Sequence, residues 1–418
     1  AGSLLILGVS ALVATCAVLS AFGFRGRASV VGIDLGTTYS VVAISDARAA
    51  ELAGLRKEKA FVPAARVIAY EDGEVLTPSV VGFDGEGVPV VGRDVLARGE
   101  ELSPVIRDAK RFVGRAFDDV QAQAKEYQFR VVRNGSKAAF EVGGSTILPE
   151  EIGSLVVRRL VEVAKRDLGH DVVTSAVIAV PAAFGADQIR ATADAFKLAG
   201  LRVARVLKEP VAAAVAYGLN KKTGVDHVLV YDFGGGTLDV SVLYVQDGSV
   251  EVVANHGDND LGGTDFDHCL LRALETALTT AQSPNVVVVE DDHDEQHGED
   301  CGRASVLLRL AEAMKIELSE ADSATIRCRD AKKLTVTRDA FETSLCGHLF
   351  ERAVATVHET LETSMIRTSD IDEVVLVGGT SRIPKVRSDL RTALGVTKLN
   401  TDIDPDVTVA VGAASVID

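Results

Sequence analysis

Basic residues are in deficit in this chain: 44 Lys and Arg stand against 60 Asp and Glu, a formal net charge of −16 over 418 residues. Such a surface repels a polyanion, which excludes non-specific nucleic-acid binding. Cysteine is scarce too. Cys16, Cys269, Cys301, Cys328 and Cys346 show no Cys-x-x-Cys spacing, and the expectation is buried or free thiols with no disulfide framework. The first 24 residues lack any charged side chain, and Arg25 and Arg27 follow at once. That length crosses a bilayer and exceeds a usual signal-peptide core. Residues 1–24 are therefore expected to be a signal peptide or a membrane anchor, with small Ser20 and Ala21 suiting cleavage. Taken alone, Arg25 and Arg27 leave the following domain on the cytoplasmic side. The chain does not open on Met, and any flanking charge upstream of the run would bear on that topology.

What is present supports large cores, since apolar residues make up 47% of the chain, and 418 residues are long enough for two or three compact domains. The most informative pattern is a repeated turn. Asp34-Leu35-Gly36-Thr37-Thr38 near the start is echoed in the second half by Asp232-Phe233-Gly234-Gly235-Gly236-Thr237. In each copy an apolar, β-branched run leads in and another leads out (Val41–Ile44; Val240–Leu243), so each reads as a β-hairpin with an acid ending its first strand. Glycines let backbone N–H groups approach an anion, and Thr hydroxyls add donors. Two such hairpins facing each other clamp the phosphates of one nucleotide, with the two acids holding its Mg2+.

Between the motifs, strand-like pieces fall at 66–70 and 79–83. Residues 150–168 show a helical period ended by Gly169. Residues 172–180 form a continuous apolar run closed by Pro181, suiting a strand buried on both faces. Residues 188–198 and 211–219 read as helices. The second half repeats the strand–hairpin–helix order, which implies two similar lobes with the nucleotide between them. Residues 290–300 carry His293 and His297 among seven acids. Gly298 and the charge density favour a solvated loop over a metal site there.

These residues resemble the ATPase domain of the seventy-kilodalton heat-shock chaperones. Gly32 to Ser40 matches the family's first phosphate loop, Asp108 to Gly114 its catalytic-lysine segment, and Val180-Pro181-Ala182 its interdomain proline. Glu209 to Leu219 matches the connecting helix; Leu261-Gly262-Gly263 and Val375 to Pro384 complete the set. The resemblance covers residue 30 to the C-terminus and implies an α/β, actin-like (duplicated ribonuclease H-like) fold with the nucleotide in a central cleft. It implies lobes at 28–221 and 222–399, with 400–418 returning to the first.

The roles it implies are specific. Lys110 orients the attacking water and offsets charge growing on the γ-phosphate. Asp34, Asp232 and Asp239 serve Mg2+ largely through its water shell, and Glu209 orders that network and links it to Pro181. Thr37 and Thr38, flanked by Gly36 and Tyr39, contact phosphate, and Thr237 supports the water or γ-phosphate. Gly234, Gly235, Gly236, Gly262, Gly263, Gly378 and Gly379 let the backbone approach phosphates or nucleoside, with Thr380 where the family has serine. Glu312 and Lys315 match ribose contacts, Ser319 an adenine contact, and Arg382 and Asp406 the far side of the adenosine pocket. Three departures stand out: Ile316 where cytosolic relatives stack an arginine on the base, Lys208 in place of the Asn of Asn-Glu-Pro, and Ile189 at the relay arginine.

The expectation is an ATP- and ADP-binding, Mg2+-dependent ATPase that acts independently of peptide, since no peptide-binding domain follows residue 418. It is closest to the microsome-associated, ATPase-core-only branch and resides in the endoplasmic reticulum lumen or on its membrane. Expected partners are nucleotide, nucleotide-exchange factors or J-domain-type co-chaperones, and the membrane through an uncleaved N-terminal segment. The alternatives are a nucleotide-dependent interaction module with negligible turnover, and an N-terminal fragment of a full-length chaperone. A sugar kinase of the same superfamily requires a dedicated carboxylate base beside a sugar pocket, and the sequence shows no matching insertion.

Overall fold

The computed structural model describes residues 30–46, 63–280, 285–290, 298–329 and 332–417. The apolar run at 1–24 with Cys16, and the pair His293 and His297, lie outside them.

Strand periodicity builds the first sheet. β1 (Val30–Asp34) and β2 (Tyr39–Ser45) form the first hairpin, and alternate residues part to opposite faces. Val31, Ile33, Val42 and Ile44 enter one core, Val41 and Ala43 another. With β3 (Ala65–Val67), β4 (Ser175–Val180) and β5 (Arg202–Lys208) the order is β5-β4-β1-β2-β3. All residues of β4 are buried, as the continuous apolar run demands for a strand lying parallel between β1 and β5. The strand begins at Ser175 rather than 172, because Val172 is exposed.

The second sheet repeats the plan with β6 (His227–Phe233), β7 (Leu238–Gln246), β8 (Ser249–Asp258) and β9 (Glu373–Val377), in the order β8-β7-β6-β9. In both sheets the first hairpin strand pairs antiparallel with the next strand and parallel with a later one: β1 with β2 and β4, β6 with β7 and β9. The duplication read from the sequence is thus a duplication of strand pairing.

Helices cover the outer faces. α1 (Pro149–Leu168) starts on a proline, which needs no N–H there. Its Glu151 carboxylate accepts the Leu148 N–H at 2.6 Å, and Gly169 ends it at φ 67°. α2 (Ala186–Leu198) follows β4, and α3 (Glu209–Ala216) follows β5. The expected helix at 211–219 is this one, shifted to start at Glu209 and stopped by Gly218 at φ 65°. α4 (Gly263–Thr280), α5 (Ala304–Glu320), α6 (Gly347–Ser364) and α7 (Pro384–Leu394) belong to the second lobe. Each lobe has its own core, one around Phe112, Phe140 and Leu160, the other around Phe233, Phe266 and Phe350.

A third core joins them. α3 and α8 (Thr408–Ser415) pack together between the inner faces of the two sheets. Ala212, Ala213, Ala410 and Ala414 of the helices meet Val41 and Ala43 of the first sheet and Val228, Val230 and Val375 of the second. Small side chains let backbones lie close, so two sheets share one thin layer of helix.

The thiol expectation is overturned. Cys269 on α4 is disulfide-bonded to Cys346 ahead of α6, and Cys301 ahead of α5 to Cys328 beyond the strand Ser323–Arg327. The partners lie 77 and 27 residues apart in sequence. Spacing therefore carries no trace of them; tertiary packing alone brings their Cα atoms to 6.1 and 5.4 Å.

Candidate active site

β1 delivers Asp34 to its C-terminal end, opposite Val41 of β2 and Ala179 of β4. β6 delivers Asp232, and hairpin register puts Asp239 of β7 directly across from it. The second turn closes on itself, Gly234 N donating to Thr237 O at 3.0 Å. The two turns abut: a side-chain carbon on Gly235 would strike Thr38 Oγ1. Close approach of two backbones is what a glycine at that position permits. Arg111 closes the contact by donating from Nη2 to Gly236 O at 2.6 Å.

Behind the turns lies a cluster of acids around one amine. Lys110, in a 3-10 turn (Ala109–Arg111), sits with Nζ 2.7 Å from Glu209 Oε1, both side chains almost enclosed. Glu209 is the first residue of α3. Burial pushes Asp34 up to about 7, with Lys110 opposing and Glu209 adding to the rise. Asp239 is pushed up to about 6 by burial and then by Glu209, despite Lys110 and a hydrogen bond from Thr237. Asp232 is raised well above its ordinary value by burial, then by Glu209, Asp239 and Asp34. Burial acts to lower Lys110, but Glu209, Asp34 and Asp232 outweigh it and hold the ammonium charged. These acids keep some accessible surface while protein surrounds them on most sides. Among the described residues no three His, Cys, Asp or Glu side chains converge as a direct metal-ligand set.

The residues expected from the sequence to approach phosphates or nucleoside hang from the second hairpin. Gly263 N donates to Gly234 O at 3.1 Å and Thr264 N to Gly235 O at 2.8 Å, so the start of α4 is sewn to the turn. Gly262 N donates to Asp265 Oδ2 at 2.7 Å. Lys315 of α5 donates to Gly263 O at 3.0 Å. Its Nζ is also 2.7 Å from Asp267 Oδ1, a charge contact off the hydrogen-bonding angles that leaves this oxygen without a hydrogen bond. Burial raises Asp267, with Lys315 pulling against it. Thr380 Oγ1 donates to Gly234 O at 2.9 Å. Gly378, at φ 79°, lies so close to Phe233 O and Gly234 N that no side chain fits, and Gly379 faces Asp406.

Arg382 donates from Nη2 to Asp406 at 2.8 Å and also pairs with Asp404. Burial nonetheless raises Asp406. Tyr39 faces this wall from the first hairpin: burial raises its hydroxyl, and so do Glu312, Asp406 and Asp267. Glu312 and Ile316 are exposed on α5, Ile316 at 58%, while Ser319 Oγ donates to Lys315 O at 3.2 Å. Gly36, Thr37 and Thr38 form the first turn.

The candidate phosphate and Mg2+ residues thus lie on the two turns and in the acid cluster, while Ser319 is bonded within its own helix. Sequence reasoning missed Arg111, Asp267 and the contacts of Lys208. Arg111 and Asp267 flank recognised residues, in Lys110-Arg111 and Gly263-Thr264-Asp265-Phe266-Asp267, so adjacency was the available signal. Lys208 donates to the carbonyls of Pro181, Ala182 and Phe184, which no local pattern announces.

A family model described as "Hsp70 protein" matches residues 30–417. A chaperone protein DnaK of Thermus thermophilus is 40% identical over 406 residues, 93% of this chain and 60% of that protein. A chaperone protein DnaK of Prochlorococcus marinus is 38% identical over 398 residues, 92% of this chain and 58% of that protein. The chain therefore spans about three-fifths of the length of the curated relatives it matches.

Proposed function

The chain belongs to the Hsp70 family, with its actin-like two-lobed α/β fold, and from that premise we propose that it binds ATP and ADP with Mg2+ and hydrolyses ATP. One observation carries the reading: two opposed hairpin turns enclose Asp34, Asp232, Asp239 and Glu209 around the single amine of Lys110. Carboxylates crowded this way resist ionising, and a divalent cation relieves them. The residues present therefore fit Mg2+. When bound it supplies charge neutralisation at phosphate oxygens, held by Asp34, Asp232 and Asp239 largely through its water shell.

The protein's own groups do the rest. Thr37, Thr38 and the N–H groups of both turns bind phosphate. Lys110, fixed by Glu209, orients the attacking water and offsets charge growing on the transferred phosphoryl group. Thr237 supports that water, and Arg111 keeps the second turn against the first. Glu312, Lys315, Ser319, Arg382 and Asp406 line the nucleoside side.

The finer reading is a member of the microsome-associated branch in the endoplasmic reticulum lumen or on its membrane. Two disulfides support it, since such bonds persist in oxidising compartments, as do the uncharged run at 1–24 and the aliphatic Ile316. J-domain-type co-chaperones and nucleotide-exchange factors are the partners the family suggests.

The test is Mg2+-dependent phosphate release by the purified chain and its Lys110→Ala variant. Turnover in the variant is expected to fall by about 10²-fold or more, with ADP affinity within about twofold. Equal turnover in the two proteins removes Lys110 from the mechanism; absence of ATP binding in the parent removes the reading itself.

A further inference from the structure

Lys208 closes β5 and immediately precedes α3. Its ammonium donates to three carbonyls of one loop: Pro181 O at 3.3 Å, Ala182 O at 2.9 Å and Phe184 O at 3.2 Å. An ammonium has three N–H groups, and all are used. The loop leads from β4 to α2, and β4 is the strand whose Ala179 stands opposite Asp34. The next residue, Glu209, turns instead to Lys110 at 2.7 Å. Two consecutive side chains thus reach different parts of the first lobe.

The backbone at the corner between β5 and α3 is held by the pairing of Lys208 with Val180 at the end of the β5–β4 ladder and by the packing of α3 in the shared core, while the first turn of α3 is left without a side-chain cap. α3 is only eight residues long and has no side-chain cap, and Pro210 brings no N–H. Its first residue nevertheless carries the carboxylate that fixes Lys110.

We propose that Lys208 is a positioning residue, whose three-carbonyl anchor fixes the β5–α3 corner against the β4–α2 loop and thereby holds Glu209 on Lys110. This rests on the ATPase reading above. A neutral side chain of similar length leaves the three carbonyls to water and loosens the β4–α2 loop and the uncapped first turn of α3 that carries Glu209. A displacement of about 1 Å breaks a contact as short as that between Glu209 and Lys110 and lowers turnover steeply.

The experiment compares the parent with Lys208→Met and Lys208→Arg by three readouts. These are kcat against KM for ATP, hydrogen exchange of the amides at 182–185, and the rate of chemical acylation at Lys110 followed by mass spectrometry. The Met variant is expected to lose about fivefold or more in kcat with KM within about twofold. Its loop amides exchange faster, and Lys110 acylates faster. The Arg variant, which still donates to carbonyls, recovers most of the turnover.

Unchanged kcat and unchanged Lys110 acylation in Lys208→Met overturn the proposal, as does a loss carried wholly by KM. Acylation and exchange are measured without nucleotide. A parent that fails to hydrolyse ATP therefore sinks the ATPase reading, while the anchor is still judged by Lys110. If the Met variant does not fold, Lys208→Asn, whose amide donates from two N–H groups, reports the same quantities.

Discussion

The two lobes repeat one pattern of strand pairing and divide the labour within it. The first brings the amine: Lys110 stands on Glu209 and pulls on Asp34. The second sets Asp232 across from Asp239, and the cation acting on both is again Lys110, reaching from the first lobe. Charge balance at the second hairpin thus depends on the first being near. Stabilisation differs in one respect. Both lobes pack aromatic rings in their cores, Phe112, Phe129 and Phe140 in the first and Phe233, Phe266, Phe341 and Phe350 in the second. The second adds two covalent bonds, Cys269–Cys346 and Cys301–Cys328. Duplicated topology therefore fixes where groups sit and leaves open which groups they are.

Reduction breaks this comparison most strongly. Closing loops of 77 and 27 residues corresponds to upper bounds of roughly 3.5–4.5 kcal/mol each by loop-closure entropy. Thermal unfolding with and without reductant is expected to show the second lobe melting earlier once reduced, with the first little changed. Cys269→Ala with Cys346→Ala should reproduce most of the shift. Protein alkylated on extraction from cells should show these four cysteines protected. Four free thiols there would argue against both the pairing and an oxidising compartment.

A gentler probe is pH. Native Asp34 and Asp239 titrate near 7 and 6, above the ordinary 3.8, so between these limits the folded state binds more protons than the unfolded state. The stability they contribute is full below about pH 4 and is lost as pH rises through 6 and 7. Mg2+ with ADP acts against that loss. Its stabilisation is expected to be larger at pH 8 than at pH 5.5, by roughly 2–4 °C in melting temperature, the scale of about 1 kcal/mol. A shift independent of pH would detach the acid cluster from the metal.

The smallest effect concerns the wall above the cleft. Ile316 is 58% exposed on α5, and Ile316→Arg adds a cation able to stack on a base. ADP affinity is expected to rise about fivefold, the equivalent of about 1 kcal/mol. Calorimetry showing no gain would mean that the aliphatic side chain already serves the site as well.

The hairpins were legible because their signals are local: a β-branched run, an acid, glycines, and a second run, all within a dozen residues. The helix at 149–168 was legible for the same reason, through apolar periodicity and the glycine that stops it. The disulfides were not, since Cys269 and Cys346 meet only after α4 and α6 have packed. Nor was the hydrogen bond of Arg111 to Gly236, which spans both lobes. Lys208 read as a departure from the family's asparagine; the three carbonyls that give it a role come from a loop distant in sequence. Local pattern specified the hairpins and helices, and tertiary packing supplied the contacts between them.

The shared helical layer has a consequence for how the chain is made. β1 and β2 leave the ribosome early, while α8, which covers their inner face beside Val41 and Ala43, emerges after both sheets have been synthesised. Contacts between segments so distant in sequence form slowly. Until α8 docks, the first sheet keeps an uncovered apolar face, the kind of surface from which a nascent chain aggregates.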